Sequence, residues 1–333
     1  MSDDDSALSK SQLKKTVATI ILSQGNDFIK DLLRTNGIKI GATKKDFAEN
    51  INDAIDAEQL TQTMIEAWLD EIEGWGNQHV YLFEPPSVDV ATLGALLADS
   101  EHAELVGQRQ SYTFPDELSL SNIAHSTYSL SLIWHLGKEG WDRAKSKDFQ
   151  KTEGLELYRY DAYRQRMDRS IVRFDWQFAD AYCAILIHRN KDIDHDQAIG
   201  VVWETLKALK VVTNSCFRLS LSQAVKSKSK KQGTKQARLE ADGGYVNLVS
   251  TLQEGGIDQV EAVRQTRHAM NDSKFSRAQG MFVLGAEETL EAPMSVQVYG
   301  SEGRLRLWAQ CKRDDVYAII RHLMDHNVGG AGA

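Results

Sequence analysis

Ile171-Val172-Arg173-Phe174-Asp175-Trp176-Gln177-Phe178 alternates strictly between apolar and polar residues, and Tyr182-Cys183-Ala184-Ile185-Leu186-Ile187-His188 follows it as a continuous apolar run. Alternation with a period of two puts Val172, Phe174, Trp176 and Phe178 on one face of a strand. The apolar run suits a more central strand, covered on both faces. Asp194 or Asp196 then offers an N-cap for a helix over 197–209, whose apolar stripe is Ile199, Val202, Leu206 and Leu209. Upstream, Tyr128, Leu130, Leu132, Trp134 and Leu136 alternate as well, so the order is strand, strand, strand, helix. The carboxyl-terminal part predicts a similar unit. Strands over 294–299 and 304–310 turn at Gly300-Ser301-Glu302-Gly303, and Asp314 or Asp315 opens a helix over 316–325. Between the units, 216–225 reads as a strand, a basic loop follows, and 257–270 reads as a helix.

The amino-terminal part is different. Apolar residues recur with helical spacing at Leu13, Val17, Ile20 and Ile21, at Phe28, Leu32 and Leu33, and at Phe47, Ile51 and Ile55. A fourth helix, over 57–72, carries Leu60, Met64, Trp68 and Ile72 and is broken by Gly74-Trp75-Gly76. A short strand over 79–83 precedes Pro85-Pro86, and a short helix occupies 90–97. The expectation is an α+β protein, with a small N-terminal helical domain followed by a mixed α+β region of two antiparallel-sheet and helix units. The expected boundaries are a tail at 1–8, the head at 9–76, units at 77–213 and 214–328, and a tail at 329–333.

A chain of 333 residues with 42% hydrophobic content can bury substantial cores. Its formal net charge of −8 argues against a binder of polyanions that works through overall charge. The charge is uneven, however. Lys10, Lys14, Lys15, Lys30, Arg34, Lys39, Lys44 and Lys45 face only Asp27 and Asp31 in the first part of the head, whereas every charged residue over 46–73 is acidic. Cys183, Cys216 and Cys311 are too far apart for a zinc signature and odd in number for a disulfide framework, so buried thiols are expected. The acidic start Met1-Ser2-Asp3-Asp4-Asp5 is unlike a signal peptide, and no run approaches the roughly 18 apolar residues of a membrane span. A reducing, intracellular setting is expected, cytoplasmic or nuclear, with no membrane partner.

Three constellations carry functional expectations. In Gly37-Ile38-Lys39-Ile40-Gly41-Ala42-Thr43-Lys44-Lys45-Asp46-Phe47-Ala48-Glu49-Asn50-Ile51, Gly37 ends one helix and Thr43 caps the next, with Asp46 completing a capping box. This stretch resembles the SAP family, a helix–extended loop–helix module associated with DNA binding, over about residues 27–51. The resemblance implies phosphate contacts by Lys39, Thr43, Lys44 and Lys45, and Arg34 projects from the same corner. A helix N-terminus can receive a phosphate through its free N–H groups. The second constellation runs from Lys226 through Lys228, Lys230, Lys231 and Lys235 to Arg238, with no acid between Cys216 and Leu239. It reads as an arm that tracks a phosphate backbone, or as a solvated hairpin tip. In the third, Arg304, Arg306 and Trp308 share one strand face opposite Leu305 and Leu307, suited to base stacking or to burial under a neighbouring element.

Catalytic signals are sparse. No Walker-type loop, His-Glu-x-x-His or nucleophile elbow occurs. His188, Asp192, Asp194, His195 and Asp196 read better as a polar turn before a capped helix than as a metal site. No cofactor, metal or catalytic residue is expected. The leading expectation is a non-enzymatic nucleic-acid-binding protein, with duplex DNA as partner, acting as a subunit of a larger assembly. The alternatives are a protein-interaction subunit docking through the acidic helices at 46–73, with self-association included, and a divergent metal-dependent nuclease.

Overall fold

In the head, α1 (Lys10–Gln12) passes through a π-helical turn, Leu13–Val17, into α2 (Ala18–Ser23), and α3 (Asn26–Thr35), α4 (Lys44–Asp56) and α5 (Gln62–Ile72) follow. The structure, a computed structural model, describes residues 8–108, 112–188, 193–228, 234–241, 244–250, 257–270, 277–285, 290 and 292–327. Gly37, at φ +65°, closes α3 as expected: its N–H donates to Arg34 O at 3.1 Å and the Ile38 N–H donates to Leu33 O at 2.8 Å. The fourth helix starts later than its periodicity predicts. Glu58 takes φ +58°, so 57–61 forms a link that buries Leu60, and Thr61 caps α5 by accepting from Met64 N–H at 3.3 Å. Phe47, Ile51 and Ile55 of α4 pack with Ile29, Leu33 and Leu69 into a core of the head's own.

Next come β1 (Gln78–Phe83), α6 (Leu93–Ala98), β2 (Ser119–His125), β3 (Ser129–Arg143), β4 (Phe149–Glu153) and β5 (Glu156–Tyr160). They lead to β6 (Tyr163–Gln177), β7 (Cys183–His188), α7 (His195–Ala208) and α8 (Ser222–Lys228). The chain then forms β8 (Thr234–Ala241), β9 (Gly244–Val249), α9 (Glu261–Met270), β10 (Arg277–Leu284), β11 (Met294–Tyr299), β12 (Arg304–Leu307) and α10 (Arg313–Asp325). The fold is therefore mixed α+β. Asp194 is the residue that caps α7, accepting from Gln197 N–H at 2.9 Å. At α10, Asp315 accepts from Lys312 N–H at 3.0 Å.

The two units expected from sequence do not form separate sheets. Among the described residues one ten-stranded sheet has the order β2-β3-β6-β7-β1-β12-β11-β10-β8-β9, and its strand pairs are antiparallel. The halves join where β1 meets β12, with His79, Val80 and Tyr81 opposite Arg306, Leu305 and Arg304. Every residue of β1 is buried, as are the first five of β7, which explains their continuous apolar runs.

The inner face of the sheet is covered along its length. Val80, Leu82, Leu186, Val296, Val298, Leu305 and Leu307 pack beneath Val225 of α8 and Val316, Ile319, Ile320 and Leu323 of α10. On the β3–β6 side the head closes it, with the Arg173 guanidinium carbon 4.4 Å from the Trp75 ring centroid and Arg169 paired to Glu73. Among the described residues the outer face is covered on one half, where Leu132, Trp134, Val172, Phe174, Ile185 and Ile187 pack against Leu93 and Leu97 of α6 and Val202, Trp203 and Leu206 of α7.

Two readings of the middle region need correction. The segment over 216–225 is not a strand: Arg218 makes a single bridge to Phe83, the Leu219 N–H donates to Leu82 O at 3.0 Å, and Ser222 begins α8. The basic loop is also shorter, because α8 takes Lys226 and Lys228 and β8 takes Lys235 and Arg238, while Lys230 and Lys231 lie outside the described residues. Strands β3 and β6 extend past their neighbours as a two-stranded ribbon topped by the β4–β5 hairpin. Trp141, Phe149, Leu155 and Leu157 are exposed on this arm. Arg143, at the far end of the ribbon, holds the base of the β4–β5 hairpin through a fork to Asp148 and a 2.8 Å pair to Asp161, and holds the Asp148 carboxyl down at about 2. Among the described residues no helix is long and apolar enough to cross a membrane.

The β11–β12 turn depends on Gly303, at φ +55°, where an added Cβ would lie 2.1 Å from Leu219 O. Gly303→Ala is expected to lower stability by at least about 1 kcal/mol, read as an earlier urea midpoint at unchanged slope.

Candidate functional site

At the carboxyl-terminal half the outer sheet face carries no helix among the described residues. Leu305 and Leu307 of β12 point inward and are fully buried, so Arg304 and Arg306 point outward. The register extends this into two rows across the sheet. One holds Tyr81, Arg304, Tyr299, Gln279, Arg238 and Asn247; the other holds His79, Arg306, Gln297, Met281, Gln236 and Val249. At about 4.8 Å between neighbouring strands, each row spans roughly 24 Å. Trp308, Tyr245, Val249 and Val283 add exposed apolar surface to this face or its rim, with Tyr245 57% exposed and Trp308 38%.

Arginine and aromatic residues are paired along it. The guanidinium carbon of Arg306 lies 3.6 Å from the Trp308 ring centroid, that of Arg304 lies 3.8 Å from Tyr299, and that of Arg238 lies 3.9 Å from Tyr245. Stacking of this kind keeps a guanidinium flat, and in all three arginines Nε is buried, which leaves the Nη groups to meet a ligand. Arg304 also pairs with Glu302 at 2.8 Å and meets His79 Nδ1 at 3.3 Å, whereas Arg306 has no carboxylate partner among the described residues. At the border with the covered half, the Tyr81 hydroxyl and His195 Nδ1 are 2.7 Å apart, and the His79 and His195 rings are 4.6 Å apart. Burial, with Arg304 nearby, pulls His195 below its ordinary range, which favours the neutral ring. Arg218 lies over Tyr81 at 4.9 Å and pairs with Asp196 at 3.6 Å.

Of the residues singled out from sequence, Arg238, Arg304, Arg306 and Trp308 therefore meet on one surface. Lys226 lies in α8 and is half-buried, so the basic constellation is divided between a helix and a strand. The head residues are elsewhere, and most are engaged locally. Thr43 and Asp46 form the expected capping box, in which the Asp46 carboxylate accepts from both Ala42 N–H and Thr43 N–H at 2.8 Å. Those bonds lower the Asp46 pKa and put a carboxylate at the helix start. Gly41 makes room for it, since a Cβ there would lie 2.1 Å from Asp46 Cβ. Lys44 turns back to the end of α2, donating to Leu22 O at 2.7 Å and to Gln24 O at 3.5 Å. Lys45 pairs with Glu49 at 3.5 Å and Arg34 with Asp31 at 3.7 Å, while Lys39 is exposed. The acidic surface over 46–73 is partly neutralised too, with Glu58 paired to Lys10 and Asp56 to Lys14.

Tyr299, Tyr245, Tyr81 and His79 were not singled out from sequence. A signal for Tyr299 exists in Met294-Ser295-Val296-Gln297-Val298-Tyr299, where buried Val296 and Val298 require Gln297 and Tyr299 on the other face. Among the described residues no group of His, Cys, Asp and Glu could hold a metal ion, and Asp192 lies outside them. Cys183 and Cys311 are buried, and burial pushes the Cys311 thiol up to about 12; Cys216 is only half-buried. No protein-family model matches this chain, and no curated protein matches it.

Proposed function

We propose that this chain is a non-enzymatic nucleic-acid-binding protein whose contact surface is the open sheet face, with single-stranded segments as its preferred ligand. The observation that carries the reading is the set of Arg–aromatic pairs, Arg306–Trp308, Arg304–Tyr299 and Arg238–Tyr245, on a sheet half that no helix covers among the described residues. Guanidinium groups supply phosphate contacts, and exposed aromatic rings supply stacking surfaces that every base can use. A flat sheet suits splayed, unstacked bases better than a duplex groove, so the geometry favours single strands over the duplex expected from the head. The head's contribution is reduced to Lys39 and the locally paired Arg34 and Lys45, because Lys44 and the N-terminus of α4 are occupied from within the chain.

The test is a salt titration of binding to fluorescent single-stranded and duplex oligonucleotides. Trp308→Ala is expected to weaken single-strand binding by about tenfold, the loss of one stacked base. Arg306→Ala is expected to weaken it at low salt and to flatten the salt slope by about one contact. Lys39→Ala with Lys45→Ala is expected to change little. Equal affinity of the wild type and the Trp308→Ala, Arg306→Ala double variant across the titration would sink the reading.

The arm favours a second reading, that of a subunit docking another protein. A two-stranded hairpin alone is marginal in water, and β4 and β5 are exposed at every residue. A protein retained on the wild type after nuclease treatment, and lost with Phe149→Ser and Leu157→Ser, would support it.

A further inference from the structure

A cavity of about 340 Å³ lies where the head meets the inner sheet face, away from the open face. Among the described residues its walls include Ile72 at the end of α5, Ile171 of β6, Gln78 of β1 and His188 of β7. The charged groups of the lining are engaged within the chain. Glu73 holds the Arg169 fork through Oε2 to Nη2 and through Oε1 to Nε at 3.2 Å, and Asp168 has an interaction of its own. The cavity therefore selects neither a cation nor an anion.

Its unpaired groups are neutral. Gln78 is 1% exposed and its Oε1 has no hydrogen-bond partner, and His188 Nδ1 has none either. Burial lowers the His188 pKa and keeps the ring uncharged. The two residues are directly opposite each other in the β1–β7 register, on the inner face shared with Val80, Leu82 and Leu186. Opposed side chains in an antiparallel pair start about 5 Å apart, so one flat ligand edge can meet both. Unmet buried polar atoms are destabilising, and a pair of them side by side persists where a ligand uses both.

The other walls are apolar and come from different layers. Ile72 belongs to the head and Ile171 to the sheet, and they are 6% and 3% exposed. A polyol would press hydroxyls against these side chains at a cost, whereas the faces of a flat ring would not. The volume lies near the lower end for small-molecule sites and suits one ring system.

We infer that this cavity binds a small neutral planar heterocycle of the nucleobase class, its ring beside Ile72 and Ile171 and one edge hydrogen-bonded to Gln78 and His188. Such an edge carries donors and acceptors side by side. The Gln78 amide offers either by rotation, and a neutral imidazole nitrogen offers either by tautomer.

The test titrates uracil, adenine, inositol, ethanolamine and inorganic phosphate into the full chain carrying labelled isoleucine methyl groups. Resonances of Ile72 and Ile171 are followed by NMR. Uracil and adenine are expected to shift both methyl groups saturably, and inositol, ethanolamine and phosphate are expected to leave them in place. Gln78→Met removes the buried amide at similar volume, so it is expected to melt no earlier than the wild type while binding uracil about tenfold more weakly. His188→Leu provides an independent loss of binding should Gln78→Met fold poorly. No saturable shift with either base would mean a cavity that holds water only, and would overturn the assignment. Equal shifts with inositol, ethanolamine or phosphate, or uracil binding unchanged in both variants, would overturn it too. A uridine oligonucleotide is expected to leave both methyl groups unmoved; their movement would mean that the cavity takes a base of a polymer rather than a free ligand. Uracil binding is expected to stay unchanged in Trp308→Ala, which keeps this result separate from the open-face reading.

Discussion

Arg169→Leu is expected to lower the unfolding free energy by about 3–5 kcal/mol, measured by urea denaturation, because it leaves a buried carboxylate without its main counter-charge. The side chains of Arg169 and Glu73 are 3% and 6% exposed, so solvent cannot replace the lost partner. The pair lies where the end of the head meets β6, beside Arg173, which donates to Glu73 O at 3.2 Å and stacks on Trp75. The effect is therefore a loosening of the head from the sheet as well as a loss of charge balance. Glu73→Leu combined with Arg169→Leu is expected to recover much of the stability, since no ion is left buried. A double variant no more stable than the single one would mean that the cost comes from packing of the Arg169 stem rather than from its charge.

The second large effect is a dependence on acid. His135 of β3 is fully buried, and both ring nitrogens lack hydrogen-bond partners. Burial, reinforced by Arg169 and Arg173, lowers its pKa from 6.5 to about 2. The unfolded chain therefore binds a proton as pH falls through about 6.5 while the folded chain does not, and stability falls with it. The loss from this one residue is about 2 kcal/mol between roughly pH 7 and pH 5. His188 and His195, also lowered, add in the same direction. Asp70 and Asp175 are raised by burial and act in the opposite direction at lower pH. The clean readout is therefore the difference between the wild type and His135→Phe: the variant is expected to show a shallower loss by about that amount. Parallel curves would mean that His135 finds a partner or solvent in the folded protein.

Parts of this fold are legible in the sequence because burial leaves a periodic trace. Val172, Phe174 and Trp176 alternate because one side of β6 packs under α7, and 182–188 is uniformly apolar because β7 is central. Gly37 and the Thr43–Asp46 box announce a helix end and a helix start through chemistry local to a few residues. Where an element lacks a buried face the trace disappears. Thr234-Lys235-Gln236-Ala237-Arg238 reads as a solvated loop because Gln236 and Arg238 of this strand face outward. The ribbon of β3 and β6 past Leu136 is mostly solvent-facing and keeps no alternation. The misreading of 216–225 has a different cause, since Leu221, Ala224 and Val225 are buried around a helix start whose extended lead-in mimics a strand.

The candidate surface was partly legible for the same reason. Alternation along 304–308 assigns Arg304, Arg306 and Trp308 to one side without any three-dimensional information. Their meeting with Arg238 and Tyr245 depends on strand register across β11, β10 and β8, which is set by tertiary pairing. The head pointed the other way. Its lysines are visible in sequence, but the carbonyls of Leu22 and Gln24 that receive Lys44 are some twenty positions distant.

The pairing of β1 with β12 has a consequence for biosynthesis. During translation β1 and β7 emerge long before residues 304–307, so the early strands can assemble while one flank of β1 still offers bare amide and carbonyl groups. That flank belongs to a strand buried at every residue in the finished fold, and an unpaired edge of this kind is a template on which chains adhere to one another. Chains truncated before residue 304 are therefore expected to aggregate more readily than the full chain, as light scattering would show.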